Sequence, residues 1–254
     1  MLKFASAFRG FALRASDGEI GAIADFLFDD RFFAARWLVV DTGGWLSARK
    51  VLLHPEALGK PDRARLELPV ALTRAQIEGS PALAEHLPVS MQMERHLYDY
   101  YGWEPMANDS ALRANPIASK FSAPPLFMVA PQAETAADPL ECDVHLRSVN
   151  AIAGYRVIGS DGALGAVEDL LIDEDRWSFP YLVVDTGNWF SEKHVLISRH
   201  AVKDISWSDR EIRVDVSGGQ VEASPAWSAL GDVDPYYEKD LHDPYDWPGH
   251  RGAI

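Results

Sequence analysis

The sequence predicts a mainly β protein: two tandem small β-barrels with short helices, joined by an irregular linker. The first observation is a repeat. Residues 10–21, Gly10-Phe11-Ala12-Leu13-Arg14-Ala15-Ser16-Asp17-Gly18-Glu19-Ile20-Gly21, return 144 positions later as Gly154-Tyr155-Arg156-Val157-Ile158-Gly159-Ser160-Asp161-Gly162-Ala163-Leu164-Gly165. The same offset carries Leu38-Val39-Val40-Asp41-Thr42-Gly43-Gly44-Trp45 onto Leu182-Val183-Val184-Asp185-Thr186-Gly187-Asn188-Trp189. The second is the number of short apolar runs in each copy, which is more than an α/β unit of this size would hold. The third is a composition shift: residues 104–144 are rich in Ala and Pro and centre on Ser122-Ala123-Pro124-Pro125. Such a segment buries too little apolar surface to fold alone. These boundaries divide the chain into residues 1–103, a linker at 104–144, and residues 145–254.

The elements follow in order within a copy. Residues 11–15 form a first strand, Ser16-Asp17-Gly18-Glu19 is a turn signal, and residues 20–29 form a second strand, making a hairpin. Residues 37–40 are a continuous apolar strand running into Asp41-Thr42-Gly43, and residues 51–53 are another. Leu66, Leu68 and Val70 alternate with Glu67 and Pro69, as Ile212, Val214 and Val216 do with Arg213 and Asp215. Thr73-Arg74-Ala75-Gln76 and Ser217-Gly218-Gly219-Gln220 fit a capping box, with the Ser or Thr oxygen accepting from the third helical N–H and the Gln reaching back. Ser80-Pro81 and Ser224-Pro225 stop these helices early.

Charge and cysteine content set the expected surroundings. The net charge is −14, and residues 145–247 alone hold 9 basic against 19 acidic side chains. Nucleic acid and anionic membranes call for a basic face, so neither is expected as partner. Cys142 is the only cysteine and permits no internal disulfide. A cytoplasmic setting is therefore expected. The uncharged window of residues 121–133 falls short of the ~20 residues a membrane span needs, and no span is expected.

Asp41-Thr42-Gly43 and Asp185-Thr186-Gly187 each follow an apolar pair, the signature that aspartic peptidases use twice. Two carboxylates sharing a proton would activate a water, which makes Asp41 and Asp185 alternative catalytic residues. Against this, Gly44 and Asn188 stand where such enzymes carry Ser or Thr. A supporting segment Ala57-Leu58-Gly59 also has the counterpart Ala201-Val202-Lys203, which lacks the glycine. The structural reading makes both aspartates acceptors for the turn that follows, with Gly43 and Gly187 supplying unusual backbone. No histidine recurs between the copies, so no metal and no cofactor is expected. The aromatic cluster at Tyr98, Tyr100, Tyr101 and Trp103 has a counterpart in Tyr236, Tyr237, Tyr245 and Trp247. Trp103 and Trp247 are expected to pack within the chain. Tyr236 and Tyr237 face Gln92 and Met93 in the alignment and are the candidates for contact with a partner.

The motif residues Asp17, Gly18, Gly21 and Asp25, then Asp41, Thr42, Gly43 and Trp45, recur as Asp161, Gly162, Gly165 and Asp169, then Asp185, Thr186, Gly187 and Trp189. With the strands Arg49-Lys50-Val51-Leu52-Leu53 and Lys193-His194-Val195-Leu196-Ile197, the pattern resembles the PRC-barrel family, named for the cytoplasmic domain of the photosynthetic reaction-centre H subunit. The resemblance implies a small, strongly bent β-barrel that works by protein contact without a catalytic centre common to the family. It also leaves a soluble relative of the H subunit, assisting electron or proton transfer, as an alternative. The expectation is a structural or interaction module whose protein partner is unknown and which is compatible with homo-oligomerisation.

Overall fold

The computed structural model describes residues 2–46, 49–81, 91–103, 145–187 and 194–227. Met1–Glu78 and His145–Ile254 together make one compact unit, and Gly79–Val144 make a second. In the first unit the leading repeat contributes β1 (Leu2–Phe4), β2 (Ala12–Ala15), β3 (Gly18–Asp29), β4 (Ala34–Asp41), β5 (Lys50–Leu53), β6 (Glu67–Pro69) and helix α1 (Arg74–Glu78). The second unit supplies helix α2 (Met91–Tyr101). The trailing repeat contributes β7 (Leu146–Ser148), α3 (Val149–Ile152), β8 (Arg156–Ile158), β9 (Ala163–Asp173), β10 (Ser178–Asp185), β11 (His194–Ser198), β12 (Val202–Ser206), β13 (Glu211–Val214) and α4 (Gly218–Ala223). The chain is mainly β, as expected.

Equivalent strands pair in equivalent register. Strand β2 runs antiparallel to β3 with Ala12 opposite Ala22 and parallel to β6 with Ala12 opposite Glu67; β8 matches this with Arg156 opposite Ala166 and opposite Glu211. Val40 of β4 faces Val51 of β5, and Val184 of β10 faces Val195 of β11. The central runs Trp37 to Val40 and Tyr181 to Val184 are buried on both faces, which accounts for their unbroken apolar character. Both capping boxes form: the Thr73 and Ser217 backbone N–H groups donate to Gln76 and Gln220, whose own N–H groups donate back to the hydroxyls.

The arrangement differs from two separately closed barrels. All thirteen described strands belong to one open sheet, whose main path reads β12-β13-β8-β9-β10-β4-β3-β2-β6. The N-terminal strands are exchanged. Strand β1 pairs with β9 of the trailing repeat, Leu2 opposite Asp173 and Phe4 opposite Leu171, while β7 pairs with β3 of the leading repeat, Leu146 opposite Asp29 and Ser148 opposite Leu27. Leu2 is buried in a cluster with Leu171, Tyr181, Val183, Leu196 and Trp227, against which Phe4 packs. Phe4 meets the Trp227 ring edge-on at 4.9 Å. Burying each such side chain is worth about 1.5–3 kcal/mol, so the first residues of one repeat complete the core of the other.

The two repeats meet where β4 and β10 touch, at Ala34 opposite Ser178. On either side, the Phe179 N–H donates to the Phe33 carbonyl at 2.6 Å and the Ala35 N–H to the Trp177 carbonyl at 2.8 Å. Phe33 (φ 53°) and Trp177 (φ 49°) hold the left-handed backbone that lets the chain turn here, and both rings are buried. Phe26, Phe28 and Phe179 pack across the junction with centroids 5.5–6.1 Å apart.

One apolar assignment is overturned. The alternation of Leu66, Leu68 and Val70 places Leu66 in the strand, but it precedes β6 at φ 54° and is 55% exposed. A tight turn returning from Asp62 takes that position, and its counterpart Arg210 has the same φ and lays its guanidinium 5.4 Å from the Tyr155 ring.

Candidate functional site

The motif residues fall into two structural units per repeat. In the first, the Asp-Gly hairpin is tied to the helix that follows. The Asp17 carboxylate accepts the Arg74 N–H at 2.8 Å, and Asp161 accepts the Gly218 N–H at 2.8 Å, so each fixes the start of α1 or α4 beside the capping box. Gly18 and Gly162 provide the turn at φ 150°. Gly21 and Gly165, at φ 142° and 145°, lie against the next strand end. A Cβ on either would stand 2.1 Å from the Asp41 or Asp185 carbonyl oxygen. Only glycine fits there.

The Asp-Thr-Gly segments end β4 and β10. The Gly43 N–H donates to Asp41 Oδ1 at 2.9 Å, and the Gly187 N–H to Asp185 Oδ1 at 2.8 Å, each an Asx turn closed by a glycine at φ 53°. The Thr42 hydroxyl, buried with its residue, donates to the Arg49 carbonyl at 2.6 Å; Thr186 is likewise buried. Arg49 reaches the Ile77 and Glu78 carbonyls at the end of α1. Trp45, partly exposed, carries the Arg74 guanidinium 4.5 Å above its ring. Trp189 lies outside the described residues, as do Tyr236, Tyr237, Trp247, Cys142 and the linker 104–144.

This geometry does not assemble a carboxylate pair from Asp41 and Asp185. Both are exposed, and the strands that carry them touch at their first residues, Ala34 and Ser178, and run apart. At ~3.3 Å per residue each aspartate sits roughly 23 Å along its strand from that contact. A shared proton needs carboxylates within hydrogen-bond reach.

Between the repeats stands a matched pair of carboxylates, Asp169 buried and Asp25 half-buried, which sequence reasoning placed only as motif positions. Asp25 Oδ2 accepts the Ser148 hydroxyl at 2.5 Å, and Asp25 Oδ1 accepts the Asn150 N–H at 3.1 Å. Asp169 Oδ2 accepts the Ser6 N–H at 3.2 Å, from the position equivalent to Asn150. Both carboxyls have pKa values above the ordinary carboxylate range. Burial raises them, and the hydrogen bonds from Ser148, Asn150 and Phe26, or from Ser6 and Leu170, offset only part of it. Around them Asp30 holds His145 at 2.8 Å and Arg147 at 2.7 Å, while on the opposite side Glu174 holds Arg63 at 2.7 Å.

His54 has Ser198 as its counterpart in the trailing repeat. It is fully buried against Trp37, and its Nδ1 accepts the Glu56 N–H at 3.3 Å. Burial, with Arg36 nearby, pushes its pKa down to about 4. Asp29 moves down too. Burial alone would raise it, but Arg31 at 2.8 Å and Arg36 at 3.5 Å outweigh that. In the second unit, Leu97 and Tyr98 of α2 are buried, Tyr100 is exposed, and Trp103 stacks on Tyr101 at 4.1 Å.

No helix among the described residues is long and apolar enough to cross a membrane. No curated protein matches the chain. Residues 146–221, which hold the exchanged strand β7, the Asp161-Gly162 hairpin, the Asp185-Thr186-Gly187 turn and most of α4, match the family model for the PRC-barrel domain. Over this segment the chain is similar to the PRC-barrel domain.

Proposed function

We propose that the chain is a non-catalytic protein-interaction module of the PRC-barrel type, acting without a cofactor and binding a protein rather than nucleic acid. The observation that carries this reading is the family match of residues 146–221 to a barrel that works by contact. Its support within the fold is that the motif residues are consumed internally: Asp17 and Asp161 start helices, Asp41 and Asp185 close turns, and Gly21 and Gly165 admit a neighbouring backbone. The acidic trailing repeat is proposed to meet the partner, with Tyr236 and Tyr237, outside the described residues, as the candidate contacts. A cytoplasmic location belongs to the same reading.

Affinity capture with the full-length chain from the native organism's lysate tests it. A stoichiometric protein retained by the wild type and lost with Tyr236→Ala/Tyr237→Ala is the expected result, with the variant still folded by circular dichroism. Retention unchanged by that variant would remove the two tyrosines from the interface. Purified chain that cleaves a peptide pool between about pH 3 and 7 would overturn the non-catalytic assignment.

A further inference from the structure

We infer that each repeat is a specific binding surface for the N-terminal strand and first turn of a second PRC-type repeat, so that the two halves recognise one another without their covalent connection. The strand pairing and the backbone contacts are reciprocal. Leu2 to Phe4 pair with Leu171 to Asp173, and Leu146 to Ser148 pair with Leu27 to Asp29. The Ser6 N–H is received by Asp169, and the Asn150 N–H by Asp25. The backbone bonds Ala35 to Trp177 and Phe179 to Phe33 are mirror partners about the Ala34–Ser178 contact. An interface in which residue i meets j and the equivalent of j meets the equivalent of i is the isologous interface of a symmetric dimer, here contained in one chain.

The surface is chemically selective. It offers a ladder edge for three residues, an apolar pocket for Leu2 lined by Leu171, Tyr181, Leu196 and Trp227, and a buried carboxylate aimed at a backbone N–H one turn beyond the strand. Strand addition of this kind draws affinity from the main chain and specificity from the alternate side chains. The carboxylate adds a penalty against misfits, because a ligand lacking a donor at that point leaves a buried charge without its hydrogen bonds. The other repeat of this chain meets all three demands. Two such contacts engaged together also reinforce each other.

The test keeps the full chain. A protease recognition site is inserted within residues 104–144, the purified protein is cut to completion, and the products are passed over a size-exclusion column at micromolar and then nanomolar concentration. The expected result is one peak holding both fragments at micromolar concentration, with the circular dichroism of the uncut protein. Amide hydrogens of residues 2–6 and 146–150 should stay protected. Asp25→Ala/Asp169→Ala, still folded before cleavage, should raise the dissociation constant of the cut halves by about 100-fold, roughly tenfold for each lost charged hydrogen bond. Separation of the cut wild type into two independently folded halves would overturn the inference, as would loss of structure on cutting. A double variant whose halves hold together as tightly as wild type would overturn the role given to the carboxylates. None of these outcomes depends on an external partner, so the inference can fail while the proposed function stands.

Discussion

Ala34 and Ser178 stand opposite each other in the one contact between β4 and β10, and they occupy the same position of their respective repeats. A residue paired with its own counterpart marks a local twofold axis. The strand pairing and the backbone hydrogen bonds beside this contact are duplicated around it, as is the left-handed backbone of Phe33 and Trp177.

Gly21→Ala and Gly165→Ala should each be among the most damaging single substitutions in the chain. A Cβ 2.1 Å from a carbonyl oxygen must push β4 or β10 aside, and the φ of 142–145° strains any L side chain further. Loss of at least ~3 kcal/mol is expected in urea denaturation, against about 1 kcal/mol or less for alanine at Gly44, where a Cβ meets open space.

Asp41→Asn and Asp185→Asn should change stability by about 0.5 kcal/mol or less each, because both side chains are exposed and an asparagine oxygen closes an Asx turn as well as a carboxylate does. Peptide hydrolysis in the wild type that vanishes in either variant would contradict both this prediction and the geometry behind it.

His54 should make the protein lose stability as pH falls. Its folded-state pKa of about 4 lies below the unfolded value near 6.5, so its contribution is complete above pH 6.5 and disappears progressively toward pH 4. The full effect is on the order of 3 kcal/mol. Thermal melts of wild type and His54→Phe at stepped pH measure it, and the variant should show a flatter profile in that window.

Asp25 and Asp169 should act with the opposite sign. Their folded-state pKa values are raised, so the folded protein binds the extra protons and stability declines as pH climbs from the unfolded value near 3.8 through the folded one. Asp25→Asn/Asp169→Asn should remove this slope. It should also leave the variant at least as stable as wild type at pH 7, because the neutral amide escapes the desolvation cost while its oxygen still accepts the Asn150 or Ser6 N–H. A double variant destabilised at pH 7 in chemical denaturation would refute the argument.

Much of the fold was legible in the residues. The hairpin at Asp17-Gly18, the strands around Val40 and Val184, and the capping boxes at Thr73 and Ser217 are local signals, each written in a few adjacent positions. The exchange of β1 and β7 was not, because Leu2-Lys3-Phe4 fits the ladder of either repeat equally well when the two ladders are alike. Alternation tells which face of a strand is buried and is silent on which copy buries it. Leu66 misled for a related reason: its apolar side chain continued a period-two pattern whose backbone had already turned. Asp25 and Asp169 were visible as repeated acids, but their hydrogen bonds to Asn150 and Ser6 are a property of the contact between repeats.

His54 and Ser198 hold the same place in the two halves. Both are buried at the end of a strand, and both accept the N–H two residues on, from Glu56 and from His200. In a dimer of identical chains a substitution there would appear on both sides at once. Joining the halves in one polypeptide lets the two sides differ, and at this pair they do: one half carries a group that titrates, its twin a hydroxyl that does not. At this position acidification therefore acts on the leading repeat and leaves its counterpart unchanged, a directional response that a symmetric assembly could not produce.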